Sequence, residues 1–304
     1  MTKTTSEQLG IQGLGWIVRR AEQGPASLVS FYQTALGLRQ LRPAGPTGSV
    51  MLWAGDIVML ELSTLTVGVD SLARRDDFGF LLRAHDYDHT KKVVTQAKAT
   101  VDREEKSNGR ALYARDPAGL IFGLWDAHLG SGFPTDSVAD VIWKNGAITL
   151  PNTPTLPASL QDIASIHLKV ANPAAMAAFY VDTLGLEVLG APSSKGVTLG
   201  LGRTVALDLR PGGVKRQPLK DRNESPEVWI LRVYDHDGLA KRLAQKNVTI
   251  VNQISITGGK LTYALDPEGH LFGIQQRTPD LLPPTAVERF EDTVARRLWT
   301  EVKD

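Results

Sequence analysis

The stretch that decides the fold reads FYQTALGL over residues 31–38, and a near copy, FYVDTLGL, occupies residues 179–186. A second pair of segments follows the first pair in the same order, YARDPAGLIFG at 113–123 and YALDPEGHLFG at 263–273. Both pairs are separated by about 150 positions, which is too long for the repeats of a solenoid protein. An offset shared by two motifs indicates a duplicated module.

The bulk composition is that of a globular protein with two domains. A chain of 304 residues can bury two cores, and its net charge of +1 favours neither nucleic acid nor an anionic membrane as a partner. The absence of cysteine excludes disulfides, thiolate metal sites and a cysteine nucleophile. No apolar run approaches the roughly 18 residues of a membrane-spanning helix, and the first residues lack the apolar segment of a secretory signal. We expect a soluble, cytoplasmic monomer or homodimer.

Helix, strand and turn signals divide each copy into two βαβββ units, so the predicted fold class is α+β with four units in tandem. A linker at 127–159 contains four prolines, a density that cannot sustain a long helix. In the C-terminal tail, Phe290, Val294 and Leu298 recur at helical spacing. The predicted organisation is an N-terminal tail at 1–10, a first module at 11–126, the linker at 127–159, a second module at 160–277 and a helical tail at 278–304.

The paired motifs, occurring twice and in order within βαβββ patterns, resemble those of the vicinal oxygen chelate superfamily. That superfamily includes glyoxalase I, bleomycin resistance proteins and extradiol dioxygenases. The resemblance implies that each module curls its strands into a cup with a pocket inside. It also implies a divalent metal, held by His and Glu side chains on the first, fourth or fifth, and last strands. Two modules in one chain are similar to the extradiol enzymes, in which the C-terminal module carries the metal.

The positions implied by the resemblance are only partly filled by metal ligands. On the last strands stand Gly123 and Gly273, which have no side chain. The first strand of module two offers His167, and the fourth strand offers Asp208. His167 and Asp208 are therefore the candidate metal ligands of an incomplete site, for iron, manganese, zinc or nickel, with a metal-free site as the alternative.

The resemblance places chemistry in module two, whose cup is predicted to be the more polar one. With a metal, the ion would act as a Lewis acid and Tyr263 would assist; without one, His167 would be a general base oriented by Asp208, because imidazole titrates near neutrality. Ion pairing with Lys169 or Arg232 is the structural alternative for Asp208. The candidate catalytic residues are His167, Asp208 and Tyr263, and the candidate substrate-binding residues are Lys169 and Gln275 in module two and Trp16, Glu61 and Trp125 in module one.

Three functions follow from these features. The first is a dioxygenase-like or lyase-like enzyme that acts on a small aromatic or oxygenated compound in the C-terminal module. The second is a metal-free protein that binds a small molecule without turnover, as resistance proteins of the family do. The third is a structural protein whose cups are filled by its own side chains. The polar second cup places the enzyme narrowly first.

Overall fold

The computed structural model describes residues 11–40, 48–53, 59–68, 70–84, 86–97, 99–106, 110–126, 160–189, 192–201, 205–256 and 259–277. The predicted N-terminal tail, linker and helical C-terminal tail lie outside these residues. Their bounds, and the division of the chain into two modules, stay predictions.

The described residues form four βαβββ units, as the sequence predicts. Unit 1 contains β1 (Ile11–Ala21), α1 (Ala26–Thr34), β2 (Arg39–Gln40), β3 (Val50–Trp53) and β4 (Met59–Thr64). Unit 2 contains β5 (Phe78–Ala84), α2 (Tyr87–Gln96), β6 (Thr100–Glu105), β7 (Ala111–Arg115) and β8 (Ile121–Asp126). Unit 3 contains β9 (Leu160–Val170), α3 (Pro173–Leu184), β10 (Glu187–Val188), β11 (Val197–Leu201) and β12 (Val205–Pro211). Unit 4 contains β13 (Glu227–Val233), α4 (His236–Gln245), β14 (Thr249–Ile256), β15 (Gly259–Leu265) and β16 (Leu271–Arg277).

The boundaries of α3 show why this sequence forms a helix here. The side chain of Asn172 accepts a hydrogen bond from the backbone N–H of Ala175, and Pro173 occupies the first turn, where its missing N–H costs nothing. Gly185 ends the helix in the left-handed conformation, with φ of 65°. None of the helices within the described residues has the length and apolar character needed to cross a membrane.

The strands pair across the two predicted modules rather than within them. In one eight-stranded sheet β1 of unit 1 lies antiparallel to β13 of unit 4, and in the other β5 of unit 2 lies antiparallel to β9 of unit 3. The α+β class built from βαβββ units is confirmed. The expectation that each contiguous module closes its own cup is wrong, because unit 1 pairs with unit 4 and unit 2 with unit 3.

The two repeated motifs meet in space, which explains why both recur. In α1 the hydroxyl of Tyr32 donates to Asp116 Oδ2 at 2.8 Å, and in α3 that of Tyr180 donates to Asp266 Oδ2 at 2.7 Å. The other oxygen of each aspartate accepts backbone N–H groups of its own turn, for example from Leu120 at 3.0 Å. Each Phe-Tyr helix is thereby tied to the Asp-Pro turn that introduces a last strand, so these motifs serve the fold rather than the chemistry.

A fully buried arginine joins units 1, 2 and 4. Arg19 Nη1 lies 2.8 Å from Asp116 Oδ2, and its Nη2 lies 2.6 Å from Glu227 Oε1. Arg19 also donates to Tyr32 and to the carbonyl of Ile121. The guanidinium of Arg19 therefore lies within ion-pair distance of two buried carboxyl groups where the two sheets meet.

Alternation along the strands separates two faces in each sheet. The helix-covered faces share one apolar core, which includes Tyr32, Phe122 and Trp229. The other face of each sheet carries a smaller cluster. We call the face built by units 1 and 4 the outer cup and the face built by units 2 and 3 the central cup. The outer cup's cluster includes Trp16, Val18, Met51, Ile230, Leu261 and Tyr263; the central cup's cluster is Leu81, Ala111, Tyr113, Ile121, Trp125 and Ala164.

Candidate functional site

The central cup contains the imidazole and the carboxylate that the sequence singles out. His167 on β9 and Asp208 on β12 are register partners on adjacent parallel strands. His167 Nδ1 lies 3.3 Å from Asp208 Oδ2, although the geometry is not that of a hydrogen bond. Only 7% of His167 and 9% of Asp208 is exposed. The two side chains lie next to each other, as predicted from the sequence, and their catalytic roles stay a prediction.

Two hydroxyl groups extend this pair at either end. Ser165 Oγ lies 3.0 Å from His167 Nε2, and Thr198 Oγ1 donates to Asp208 Oδ1 at 2.7 Å. The order Ser165, His167, Asp208 matches the connectivity of a serine hydrolase triad, but Ser165 is fully buried. Strand alternation predicts that Ser165 and His167 share a face, but Ser165 was not predicted as a site residue.

The electrostatic surroundings keep the imidazole neutral. Burial lowers the pKa of His167 well below its ordinary value, and the positive charges of Arg210 and Arg103 lower it further. Burial also raises the pKa of the Asp208 carboxyl, against the hydrogen bond from Thr198 and the charge of Arg210. The imidazole is therefore in its basic form throughout the neutral range.

An aromatic wall stands beside the pair. The Tyr113 ring meets the His167 ring edge-on, with centroids 5.6 Å apart. The guanidinium of Arg103 lies 3.9 Å from the centre of the Tyr113 ring, and that of Arg210 lies 5.6 Å from it. In the sequence Tyr113 stands out only as part of a repeated motif, and neither Arg103 nor Arg210 was predicted as a site residue. The position of Tyr113 one repeat before Tyr263 was the available signal.

The charged groups around the His167–Asp208 pair compensate one another. Glu105 lies 2.9 Å from Arg103 and 3.4 Å from Arg210. Arg210 also lies 3.7 Å from Asp208, so Arg210 rather than the expected Lys169 or Arg232 is the cation beside that carboxylate. Lys169 lies on the same strand as His167 and is partly exposed.

In the central cup, the strands β5 and β8 carry apolar side chains where further metal ligands would be needed. Leu81 pairs with Gly123 across β5 and β8, as His167 pairs with Asp208 across β9 and β12. A Cβ at Gly123 would overlap the Leu81 side chain and lie 2.7 Å from the carbonyl oxygen of Leu112. Trp125, a predicted binding residue, packs in the same apolar cluster as Leu81.

These residues do not fit the metal centre that the sequence resemblance implies. In the part of the chain that the structure describes, no three His, Cys, Asp or Glu side chains form a group that could hold a metal ion. His167 and Asp208 supply two donors, and Arg210 adds a positive charge beside them. Two donors next to a cation are too few for a stable divalent site.

The remaining predicted site residues belong to the outer cup. Tyr263 and Trp16 lie in its apolar cluster, Gln275 follows Gly273 on the same face of β16, and Glu61 on β4 is partly buried. The expectation that Tyr263 and Gln275 share a cup with His167 is wrong, and so is the expectation that Trp16 and Trp125 share one. The physical reason is the pairing of unit 1 with unit 4, which separates residues of one module into two sheets.

The outer cup lacks the imidazole of the central cup. Val18 is the register partner of Glu61, so Val18 occupies the position that His167 holds beside Asp208. Arg20 and Arg222 supply cations instead, and the Arg222 guanidinium lies 4.9 Å from the centre of the Tyr263 ring. Neither arginine was predicted as a site residue, because charged residues at strand ends and in loops are usually solvated.

Comparison with known proteins agrees with this architecture. Residues 162–274 match the family model Glyoxalase/Bleomycin resistance protein/Dioxygenase superfamily. A glyoxalase I variant from Zea mays has a similar structure, with a TM-score of 0.59 and 16% identity over 87% of this chain and 92% of that chain. A candidate dioxygenase from Bacillus subtilis gives a TM-score of 0.62 and 14% identity over 96% of each chain. At these identities the likeness shows the fold alone. No curated protein matches the chain.

Proposed function

We propose that the central cup binds a small, neutral, oxygenated aromatic molecule without a metal ion, on the premise that residues 162–274 match the model of the Glyoxalase/Bleomycin resistance protein/Dioxygenase superfamily. The observation that carries the proposal is the replacement of metal ligands by Leu81 and Gly123 beside a neutral His167. Apolar walls with a few fixed polar groups are typical of small-molecule sites.

The lining determines the class of ligand. Tyr113 and Trp125 offer aromatic surface, which favours a flat ring. The His167–Asp208 pair offers hydrogen-bonding groups that select a hydroxyl or carbonyl on that ring. Arg103 and Arg210 are balanced by Glu105 and Asp208, so the described residues leave little surplus charge to attract an ion.

Binding measurements with catechol test the proposal. Isothermal titration of the full chain is expected to give the same Kd with and without EDTA. His167→Leu should weaken binding about tenfold, the value of one hydrogen bond, whereas His89→Leu at an exposed position should not. Because the pKa of His167 is far below neutrality, the Kd should stay constant between about pH 6 and pH 8. Loss of binding in EDTA, or equal effects of the two variants, would refute the proposal.

A second function, proton transfer, is favoured by one specific observation. Ser165, His167 and Asp208 lie in one polar line, and the carboxylate beside the imidazole would stabilise the positive charge that His167 gains with a proton. In this function His167 removes a proton from a carbon next to a carbonyl group and returns it, so atoms balance without a cofactor. Exchange of the methyl protons of acetophenone in D₂O, followed by NMR, is the test. Exchange that disappears in His167→Gln supports catalysis, and binding without exchange supports the first function.

A further inference from the structure

We propose that the turn at residues 266–270 of unit 4 is a pH-sensitive clamp, which holds the junction between β9 and α3 while His270 is protonated and loosens it at alkaline pH. The junction comprises residues 169–172 and begins two positions after His167. Because the contact joins units 3 and 4 and involves no ligand, it can be tested independently of the function proposed for the central cup.

The two copies of this turn differ in sequence at two positions, and both differences add a polar side chain. Residues 116–120 of unit 2 read DPAGL, and residues 266–270 read DPEGH. Glu268 thus stands in place of an alanine and His270 in place of a leucine. Only 7% of Glu268 and 6% of His270 is exposed. Buried polar groups need hydrogen-bond partners, and the partners of these two lie in unit 3.

Both side chains bind the backbone of the junction. Glu268 accepts hydrogen bonds from the backbone N–H of Ala171 at 2.6 Å and from that of Asn172 at 3.0 Å, directly before α3. Nε2 of the His270 ring lies 3.1 Å from the carbonyl oxygen of Lys169, near the end of β9. The turn of unit 4 therefore holds the strand end that follows His167 and the start of the next helix.

The surroundings of His270 require a protonated ring. Its Nδ1 lies 2.9 Å from Asp266 Oδ2, and its Nε2 faces the carbonyl oxygen of Lys169. Asp266 Oδ2 also accepts from the hydroxyl of Tyr180, and the other oxygen of Asp266 accepts backbone N–H groups. Both ring nitrogens must therefore donate, which only the imidazolium form can do. A neutral ring would direct a lone pair at one of the two oxygen atoms.

The negative charges around the ring stabilise the protonated form. Burial by itself lowers the pKa of His270, but the charge of Asp266 and the hydrogen bond to it raise that pKa above its ordinary value of 6.5. The charges of Asp77 and Glu268 raise it further. Because the folded pKa is the higher one, the stability that His270 contributes is fully present below about pH 6.5. It is lost as the pH rises through the folded value.

Charged groups of neighbouring elements also lie near the ring. His270, Arg74, Asp77 and Glu227 line a cavity of about 20 Å³, which has room for about one water molecule. Arg74 donates to the carbonyl oxygen in the fourth residue of the turn at 2.6 Å, and Arg216 pairs with Asp77 at 2.6 Å. Glu227 is a second group that titrates above neutrality, with a pKa of about 8. The test must therefore separate the titration of Glu227 from that of His270.

The first copy of the motif uses a permanent cation at the corresponding aspartate. Arg19 Nη1 lies 2.8 Å from Asp116 Oδ2. On β9 the register position of Arg19 is occupied by Leu168, so Asp266 takes its positive partner from His270 instead. Arginine stays protonated throughout the accessible pH range, whereas histidine can lose its proton near neutrality. The anchoring of the second copy is therefore the one that responds to pH.

NMR spectroscopy of the full chain tests the clamp through the His270 ring and through amide hydrogen exchange. At about pH 6 both ring nitrogens of His270 should carry a hydrogen, and the ring should titrate above its ordinary pKa. The protection factors of the Ala171 and Asn172 amides should fall by at least about tenfold between about pH 6 and pH 9. That factor corresponds to the loss of one hydrogen bond to a charged group.

Three variants separate the clamp from other titrations. Glu227→Gln removes the neighbouring titrating group and should keep the fall in protection. His270→Gln places a neutral amide in the turn and should show low protection of Ala171 and Asn172 at both pH values. His89→Gln, at an exposed position, should behave like the parent protein. Thermal unfolding identifies a variant that fails to fold, and each fall in protection is measured within one protein.

The clamp is refuted if the His270 ring is neutral at about pH 6, if the fall in protection persists in His270→Gln, or if it disappears in Glu227→Gln. Should His270→Gln fail to fold, the ring titration of the parent protein and the exchange of Glu227→Gln still decide. Failure of catechol to bind would overturn the function of the central cup and leave the clamp standing.

Discussion

Replacement of Glu227 by glutamine should remove a large part of the pH dependence of stability. Glu227 is buried and shares Arg19 with Asp116, and neither of its carboxylate oxygens meets the geometry of a hydrogen bond. Burial raises the pKa of Glu227 to about 8; the positive charge of Arg19 opposes this rise, and the negative charge of Asp116 adds to it. At neutral pH the folded protein therefore holds a proton on Glu227 that the unfolded chain would release.

The magnitude follows from the difference between the folded and unfolded pKa values. The unfolded carboxyl titrates near 4.5 and the folded one near 8, which corresponds to at most about 5 kcal/mol at about 1.4 kcal/mol per pKa unit. Because the folded state binds the proton more tightly, this stability is fully present below the unfolded value. It is lost as the pH rises through the folded value.

Urea unfolding at about pH 5, pH 7 and pH 9 measures this difference. Glutamine resembles the protonated glutamate in shape and cannot ionise, so Glu227→Gln should match the parent protein at the lowest pH. At the highest pH the variant should be more stable by several kcal/mol. Glu187→Gln, at an exposed position on β10, serves as the control and should follow the parent at every pH. Parallel curves for the parent and Glu227→Gln would refute the reasoning.

Three further predictions concern packing, the repeated motif and metal ions. Gly123→Ala should lower the free energy of unfolding by at least about 2 kcal/mol, because the new Cβ would overlap a leucine side chain and a backbone oxygen. Gly273→Ala should lower it less, because the contact there, at 2.9 Å, is with a side chain. A larger loss for Gly273→Ala in urea unfolding would contradict this. Tyr180→Phe removes the hydrogen bond to Asp266 and should cost about 1.5–3 kcal/mol, whereas Tyr234→Phe, with 46% of the residue exposed, should change the free energy of unfolding by less than about 0.5 kcal/mol. Added Zn²⁺, Ni²⁺, Mn²⁺ or Fe²⁺ should shift the Tm by less than about 1 °C in calorimetry, and a rise of several degrees would show a complete metal site.

The units of the fold could be predicted from the sequence, but their pairing could not. Repeated motifs define each βαβββ unit because helix ends and turns are local features. The first strands of all four units are apolar on the helix-covered face, for example at Ile17, Phe80 and Trp229. Each could pair with any other by pattern alone. Which strand pairs with β1 is therefore decided by the packing of the whole protein and not by the local sequence.

The candidate site shows the same division between local and distant information. The proximity of His167 and Asp208 follows from strand alternation and neighbouring parallel strands within one unit, so it could be predicted. The residues that complete the central cup, Tyr113 and Arg103, come from another unit. Placing Tyr263 with His167 failed because that step assumed a pairing between units.

The exchange of strands between the two halves has a consequence for synthesis on the ribosome. Trp16 and its partner Ile230 are more than two hundred residues apart, whereas β5 and β9 are close enough to pair once the third unit has emerged. The sheet of units 2 and 3 can therefore form during translation, whereas β1 of unit 1 stays without its partner strand until unit 4 has been synthesised. In that interval its first strand can be captured by the last unit of another chain, so crowded polysomes should favour interlocked dimers.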